Sequence, residues 1–408
     1  MSDTLMNYDY LWPDVSALLP AGTLDDIASR AARADDDGEL NLDSLAALRE
    51  CGWPGLAVPV EMEGRGAGLV ECCATQRLLG SADPGLAIAV NMHVFSVGIM
   101  VEEWRRNTDT SWFLLEAIAS QGRLVASAFA EPGLAGSVSR AGMTAVRHAD
   151  GWTVKGRKTP CSLAGVADLY CTQAQSADGD LVIGLLPGHA PGITVDRTWD
   201  AMGMRASGSH TVVFDDVHLP KDLVFTEGRA GVEDVTIDAG LVWFCLTATA
   251  VYLGVAKAAA DTAGEMLHRG RVVHTGGSRA QLPTYQGVAG GALSRLLTLE
   301  ASCLALATQM DAGRDATALL PFALALKSEA VDVVTEAVAT FGEVCGGQSY
   351  GRRARLSRLW RDAQASRYHP PTRAAVRQYL GRRHLGIDGG LDLSDTPVRA
   401  AGQVRDAP

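Results

Sequence analysis

Paired cysteines are missing from this 408-residue chain: Cys51, Cys72, Cys73, Cys161, Cys171, Cys245, Cys303 and Cys345 form no CxxC and keep no Cys/His spacing suited to zinc. They read as buried free thiols in a reducing compartment rather than as a disulfide framework or a metal site. Positive charge is scarce as well. Lys and Arg number 36 against 47 acidic residues, and no basic block stands out beyond Arg382–Arg383 and its neighbours, which argues against nucleic acid as a partner. The opening MSDTLMNYDYLWPDVSALLP has no basic stretch leading into an apolar run, so no export signal is visible and a cytoplasmic location is expected. Charge is absent altogether from Ala239 to Ala256, AGLVWFCLTATAVYLGVA, close to membrane-spanning length. Its Ala, Thr and Gly content, and Lys257 and Asp261 just beyond it, fit a buried central helix of a bundle better than a membrane span.

What is present is an order of periods. TLDDIASRAARA and NLDSLAALRECG are helical, the second ending at Gly52, and further apolar helices follow around VECCATQRLLG and GLAIAVNMHVFSVGIMVEEWRR. From Leu124 the period becomes alternating, with short strands set off by Asp-Gly, Gly-Asp and Pro-Gly turns, and after Leu223 the helical period returns through about Leu385. The expected organisation is α+β: a helical domain over 1–122, an antiparallel β domain over 123–222, a helical bundle over 223–390 and a loose tail over 391–408. GRGAG at 64–68 has the look of a dinucleotide fingerprint, but without a strand before it in a βαβ unit it reads as a plain glycine turn.

Three linked segments carry more. FAEPGLAGS (129–137), DGWTVKGRKTPCSLAGVADLY (150–170) and TWDAMGMRASGSHTVVFDDVHLP (198–220) follow the order and spacing of the middle domain of the acyl-CoA dehydrogenase superfamily, which this chain resembles over nearly its whole length. LAVPVEMEGRGAG and FGEVCGGQSYGRRARLSRLWRDA are similar to its earlier loop and its late segment ending in RDA. The resemblance implies a flavin, FAD or else FMN, held between two helical domains and a β domain, in a homotetramer or homodimer. It places the main chain of Phe129, Ala130 and Glu131 at the pyrimidine edge of the flavin, with Gly136 and Ser137 turning the chain, and the Ser162 hydroxyl near flavin N5. Ala130 replaces the usual hydroxyl residue, and Pro160 stands where dehydrogenases often place a stacking aromatic. Read from the residues alone, Ser162 is a turn serine capping a strand end, a reading the motif outweighs in favour of the flavin contact, and Arg205 and Ser209 in GMRASGS are equally packing residues or substrate or flavin contacts.

Departures from the family pattern bear on chemistry. Removing an α proton from an acyl thioester needs a base. Most of the family carries a Glu at a fixed distance after RDA; here that distance lands in His369-Pro370-Pro371-Thr372, with Pro370 at the base position. Other members place the Glu on the helix that opens the third domain, where this chain has Phe244. At the far end of the cofactor the Arg-x-x-Phe-Gly run has no clean match, leaving Arg279 and Gln286 as partial substitutes, and Glu343 replaces a Gln before Gly346 and Gly347. Superfamily members that use reduced flavin and oxygen lack the Glu, and several carry a His soon after RDA, which points to His369 and to a proton-delivering imidazole. NMHVFS at 91–96 also resembles the amine-oxidising nitrososynthase branch and makes His93 a secondary candidate, although a histidine on an apolar helix is more often a satisfied core residue.

The leading expectation is thus a flavin-dependent monooxygenase that hydroxylates carbon or nitrogen in a specialised biosynthetic pathway and depends on a separate flavin reductase. The alternatives are a dehydrogenase or desaturase of a CoA or carrier-protein thioester, with Glu131 or Glu343 as an unmatched acid, and a flavin-binding homologue without turnover.

Overall fold

The computed structural model describes residues 9–107, 112–134, 137, 139–232, 234–387 and 389–393. Gly136 and most of the expected tail lie outside these residues.

The first helical layer contains α1 (Ala21–Asp37), α2 (Leu42–Glu50), α3 (Leu69–Ala82), α4 (Pro84–Asn107) and α5 (Trp112–Ser120). Asn41 starts α2 by accepting the Ser44 N–H on its side chain, satisfying one of the orphan donors of the first turn. The GRGAG stretch is a structural turn, as its context implied. A Cβ on Gly64 would lie 1.9 Å from the Val58 carbonyl oxygen. The α3 N-terminus that follows is capped by the Asp311 carboxylate, which accepts the N–H groups of Leu69 (2.6 Å) and Val70 (2.9 Å).

A single sheet follows: β1 (Val125–Ala128), β2 (Thr144–His148), β3 (Gly151–Cys161), β4 (Leu169–Ser176), β5 (Asp180–Pro187), β6 (Ile193–Asp196), β7 (His210–Pro220) and β8 (Val224–Arg229). Its order is β6-β7-β3-β2-β4-β5-β8, with β1 beside β4. Two findings correct the expected β domain. The sheet is mixed, because β1 and β2 both pair parallel to β4. It also continues past residue 222: β8 pairs antiparallel with β5, so the second helical layer begins at Val235. The polar TEGR end of β8 lacks a clean alternation of apolar residues, which hides the strand from a periodicity reading.

The second helical layer comprises α6 (Val235–Arg269), α7 (Pro283–Asp311), α8 (Ala316–Cys345), α9 (Arg355–Gln364) and α10 (Arg373–His384). Asp234 caps α6 by accepting the N–H groups of Thr236 and Ile237. The uncharged run lies in the middle of α6 and is buried throughout. This helix, α4 and α7 are long and apolar enough to cross a membrane, but the most apolar windows of α6 and α4 are 100% and 89% buried within the protein. Glycine permits the tight crossing of α3 on α6: a Cβ on Gly80 would meet the Val251 carbonyl oxygen at 2.2 Å, and one on Gly254 the Arg77 carbonyl oxygen at 2.0 Å.

The RDA motif of α9 fastens the second bundle to the β domain. Asp362 accepts the Met204 N–H at 2.7 Å, and Arg361 donates to the Met202 carbonyl (2.9 Å) while pairing with Asp35 of α1 (2.5 Å). Gly203 sits against this turn so closely that a Cβ would lie 2.2 Å from the Arg361 carbonyl oxygen. Burial raises the Asp362 carboxyl to about 7, against the lowering effect of the Met204 N–H.

Candidate active site

Where the three layers meet, two cavities run into one another. The larger is a cleft bounded by Phe129, Ala130, Glu131, Leu134 and Ser137, by the Met202–Met204 turn and the serines after it, and by the end of α9. The second is a narrower slot between α4, the first turns of α6 and the sheet. Phe129, Ala130, Pro160, Ser162, His369 and Pro370 line both cavities and form the boundary between them.

The cleft gathers most of the residues singled out around the flavin ring. Glu131, Ser137 and Ser209 line it together with the shared residues. Ser162 Oγ lies 2.8 Å from Ser209 Oγ, which in turn lies 2.6 Å from Ser207 Oγ, so three hydroxyls form one relay on the wall. The Ala130 carbonyl accepts the Thr159 N–H at 2.8 Å and holds the two strand ends side by side. Among the described residues, Ser137 Oγ is buried there without a hydrogen-bond partner. A buried hydroxyl left unpaired beside a cleft of this breadth suits the polar edge of a ring. The residues therefore fit an isoalloxazine. Trp199, not foreseen from the sequence, also lines the cleft, with its Nε1–H donating to the Met204 carbonyl at 3.1 Å.

Glu131 is not an unmatched acid. It forms an ion pair at 2.5 Å with Lys158, whose side chain is fully buried on β3. Burial pulls the Lys158 ammonium down to about 8, against the pull of Glu131 to hold the proton. Glu343 is exposed at the end of α8 and lines neither cavity.

His369 faces both cavities and has Nδ1 buried without a partner among the described residues. Burial, then the nearby charge of Lys327, lowers its pKa to about 3, so the imidazole is neutral near pH 7. The rings of Tyr252 and Phe244 lie 5.8 and 6.2 Å from it. Behind the turn is Lys327 of α8, buried, donating to the carbonyl oxygens of His369 (2.8 Å) and Pro371 (3.0 Å). Burial depresses this ammonium to about 8. Sequence reasoning missed Lys327; the available signal was one cation in the apolar run LLPFALALKSEAVDVV.

Besides Glu343, six of the expected site residues lie outside both cavities. His93 does not line the slot: its Nδ1 accepts the Val125 N–H at 3.0 Å, which leaves Nε2 to donate to the Pro54 carbonyl at 2.8 Å, and burial holds its pKa near 4. It is a core histidine joining α4 to β1. Arg205 points back to α1, donating to the Asp35 carbonyl at 2.8 Å, and lines neither cavity. Arg279 donates to the Cys345 carbonyl at 3.2 Å beside Gly346, and Gln286 donates to the Ala280 carbonyl at 3.0 Å. These two, with Gly346 and Gly347, form a place apart from the cleft of this chain. Phe244 does line the slot.

Among the described residues no group of three or more His, Cys, Asp or Glu side chains is arranged to hold a metal ion. The site is of a cofactor-holding kind, with a broad polar-edged cleft opening into an apolar slot. Comparison with known proteins identifies the class: the N-terminal, middle and C-terminal domain models of acyl-CoA dehydrogenase match residues 23–104, 126–217 and 246–373. The chain belongs to the acyl-CoA dehydrogenase family of flavin-dependent enzymes. Within it, the chain is 29% identical over 395 residues to L-evernosamine nitrososynthase of a Micromonospora species, covering 92% of this chain and 90% of that one. It is 30% identical over 256 residues to isobutylamine N-hydroxylase of Streptomyces viridifaciens, covering 60% of this chain and 68% of that one. The crystal structure of KijD3 with FMN and dTDP-3-amino-2,3,6-trideoxy-4-keto-3-methyl-D-glucose superposes with a TM-score of 0.83 at 28% identity, covering 94% of this chain and 97% of KijD3.

Proposed function

We propose that this chain is a monooxygenase that uses reduced flavin and dioxygen to hydroxylate carbon or nitrogen of a small molecule in a specialised biosynthetic pathway. One observation carries the reading: the slot wall presents Phe244, His369 and Pro370 where a thioester dehydrogenase needs a carboxylate, and Glu131, the acid that lines the adjoining cleft, is neutralised by Lys158. The nitrososynthase and N-hydroxylase relatives support the same side of the family.

What the flavin supplies when bound is two electrons, so that one atom of dioxygen enters the substrate and the other leaves as water. The rest falls to this chain. Phe129, Ala130, Ser137 and the Ser162–Ser209–Ser207 relay hold and orient the ring from the cleft side. The apolar slot excludes water from the reacting face. His369, neutral and with Nδ1 uncommitted among the described residues, offers a hydrogen bond at the boundary between the cavities, and Lys327 fixes the turn that carries it. FMN is the flavin this reading takes, supported by the FMN complex of KijD3 and by the separation of Arg279, Gln286 and Gly346 from the cleft lining; FAD is the alternative. A separate flavin reductase, a homotetrameric or homodimeric assembly and a cytoplasmic location belong to the same proposal as extensions of the family resemblance.

The test is to load the protein with photoreduced FMN or FAD under anaerobic conditions, mix with oxygenated buffer in a stopped-flow instrument, and follow flavin oxidation and hydrogen peroxide release together. Delayed peroxide release relative to free flavin supports the proposal. Reoxidation and release at the free-flavin rate sinks it.

A further inference from the structure

Among the described residues, the slot has no ionisable side chain in its wall apart from His369. Its polar groups are few and partly committed. The Thr236 hydroxyl accepts from Arg106 at 2.8 Å and donates to the Glu103 carboxylate, both outside the slot lining. Ser162 Oγ is engaged with Ser209. Among the lining side chains, that leaves Ser127 and His369 uncommitted and able to meet a polar atom of a guest.

Cations close to the slot are committed as well. Lys327 Nζ lies 5.9 Å from the Phe244 ring centroid and donates to the carbonyls of His369 and Pro371. In the adjoining cleft, Arg361 is paired with Asp35 and bonded to the Met202 carbonyl. A diphosphate, carboxylate or ammonium group entering the slot would lose its water and find no opposite charge on the wall to replace it, which is strongly unfavourable.

Aromatic rings dominate one end. Phe95 of α4 is packed edge-on against Phe244 (centroids 5.5 Å apart, 70° between planes) and tilted against Phe129 (5.8 Å, 58°). The three rings sit at the boundary with the cleft or beside it, and all line the slot. A flat ring guest extends this edge-to-face set, gaining the geometry that aromatic groups prefer over simple apolar contact.

We propose that the slot binds a neutral aromatic molecule, with at most one or two hydrogen-bonding atoms directed to Ser127 or His369. This deepens the monooxygenase reading and rests on it for the identity of the slot as the substrate site. A nucleotide-sugar ligand such as that in the KijD3 complex would find no counter-charge on this wall if its diphosphate entered the slot.

The test uses the unaltered full-length protein, flavin-free and loaded with oxidised FMN. Binding of 1-naphthalenemethanol, 1-naphthylmethylammonium, 1-naphthoate, dTDP and the saturated decalin-methanol is measured by calorimetry and by perturbation of the flavin spectrum. The expected order puts the neutral naphthalene first, at least about tenfold tighter than either charged analogue or dTDP, because an unpaired buried charge costs at least that factor. It also binds more tightly than the decalin. Equal or tighter binding of a charged analogue or of dTDP overturns the proposal, as does preference for the decalin or no binding of the neutral arene. Since these measurements involve no turnover, they stand apart from the oxygen test: peroxide release at the free-flavin rate removes the monooxygenase reading and leaves the binding order to be judged by itself.

Discussion

Replacing Lys327 by Met tests whether a buried cation positions the His369 turn. Met keeps the length and apolar stem but removes both bonds, to the His369 carbonyl at 2.8 Å and the Pro371 carbonyl at 3.0 Å. Two charge-assisted hydrogen bonds are together worth roughly 3–6 kcal/mol. Against that loss, the variant escapes the burial of a charge: a fall from 10.5 to about 8 corresponds to roughly 3 kcal/mol of disfavoured ammonium. The expected net destabilisation at pH 7 is therefore between nothing and about 3 kcal/mol, compatible with a folded variant. The sign with pH is distinctive. Between pH 8 and 10.5 the unfolded chain keeps the Lys327 proton while the native chain releases it, so this group makes wild-type stability rise with pH in that window. The Lys327→Met variant has no group there to contribute that rise, so the stability gap between the two proteins should widen by about 2 kcal/mol between about pH 7 and pH 9.5. Urea unfolding at the two pH values measures it, and flavin-dependent peroxide release at neutral pH reports whether the turn has loosened. A gap that stays constant with pH, together with peroxide retention equal to wild type, would refute the reasoning.

His369→Ala should leave flavin binding nearly intact but lower the yield of oxygenated product about 10²-fold, the scale of one lost preorganised hydrogen bond, with the missing electrons recovered as hydrogen peroxide. Because the native imidazole stays neutral down to about pH 3, the wild-type product yield should show no inflection near 6.5, and one that disappears in His369→Gln would contradict its burial. Glu131→Gln strands the buried Lys158 ammonium behind the cleft and should cost about 3–5 kcal/mol in chemical denaturation, whereas combining Glu131→Gln with Lys158→Met should recover much of it. Gly203→Ala drives a methyl into the Arg361 carbonyl and should lower Tm and weaken flavin binding together; an unchanged melting curve would show that the turn gives way freely.

The layers and half of the site were legible because they are written in local pattern. Period changes near Leu124 and in the 220s mark the passage from helix to sheet and back, and the segments after β1 and at the end of β3 meet in the cleft because they end neighbouring stretches of the sheet. Counting on from RDA reaches the cavity wall at His369 because α9 and the short turn after it form one continuous stretch. What was hidden depends on partners distant in sequence. Nothing near Lys158 announces Glu131, and nothing near Lys327 announces the carbonyls of residues 369 and 371, since such pairings exist only once the layers dock. The apolar helix around His93 gave room to both a core and a pocket role; the N–H of Val125, on another element, decides for the core. Strand β8 escaped because it lies at the sheet edge, where alternation does not need to be apolar.

The Asp311 cap on α3 bears on how the chain is made. Synthesis delivers the first helical layer early, yet the carboxylate that completes the start of α3 emerges some two hundred and forty residues later, at the end of α7. The close approaches of the same helix, Val251 against Gly80 and Gly254 against Arg77, also belong to the late bundle. The amino-terminal layer thus leaves the ribosome as an unfinished half, with an apolar face waiting for its cover, and the last bundle acts as an internal template that closes it. A nascent chain arrested at residue 230 should expose that face to dye binding and chaperone capture, and one arrested beyond the second bundle should not; equal protection in both would show that the first layer closes unaided.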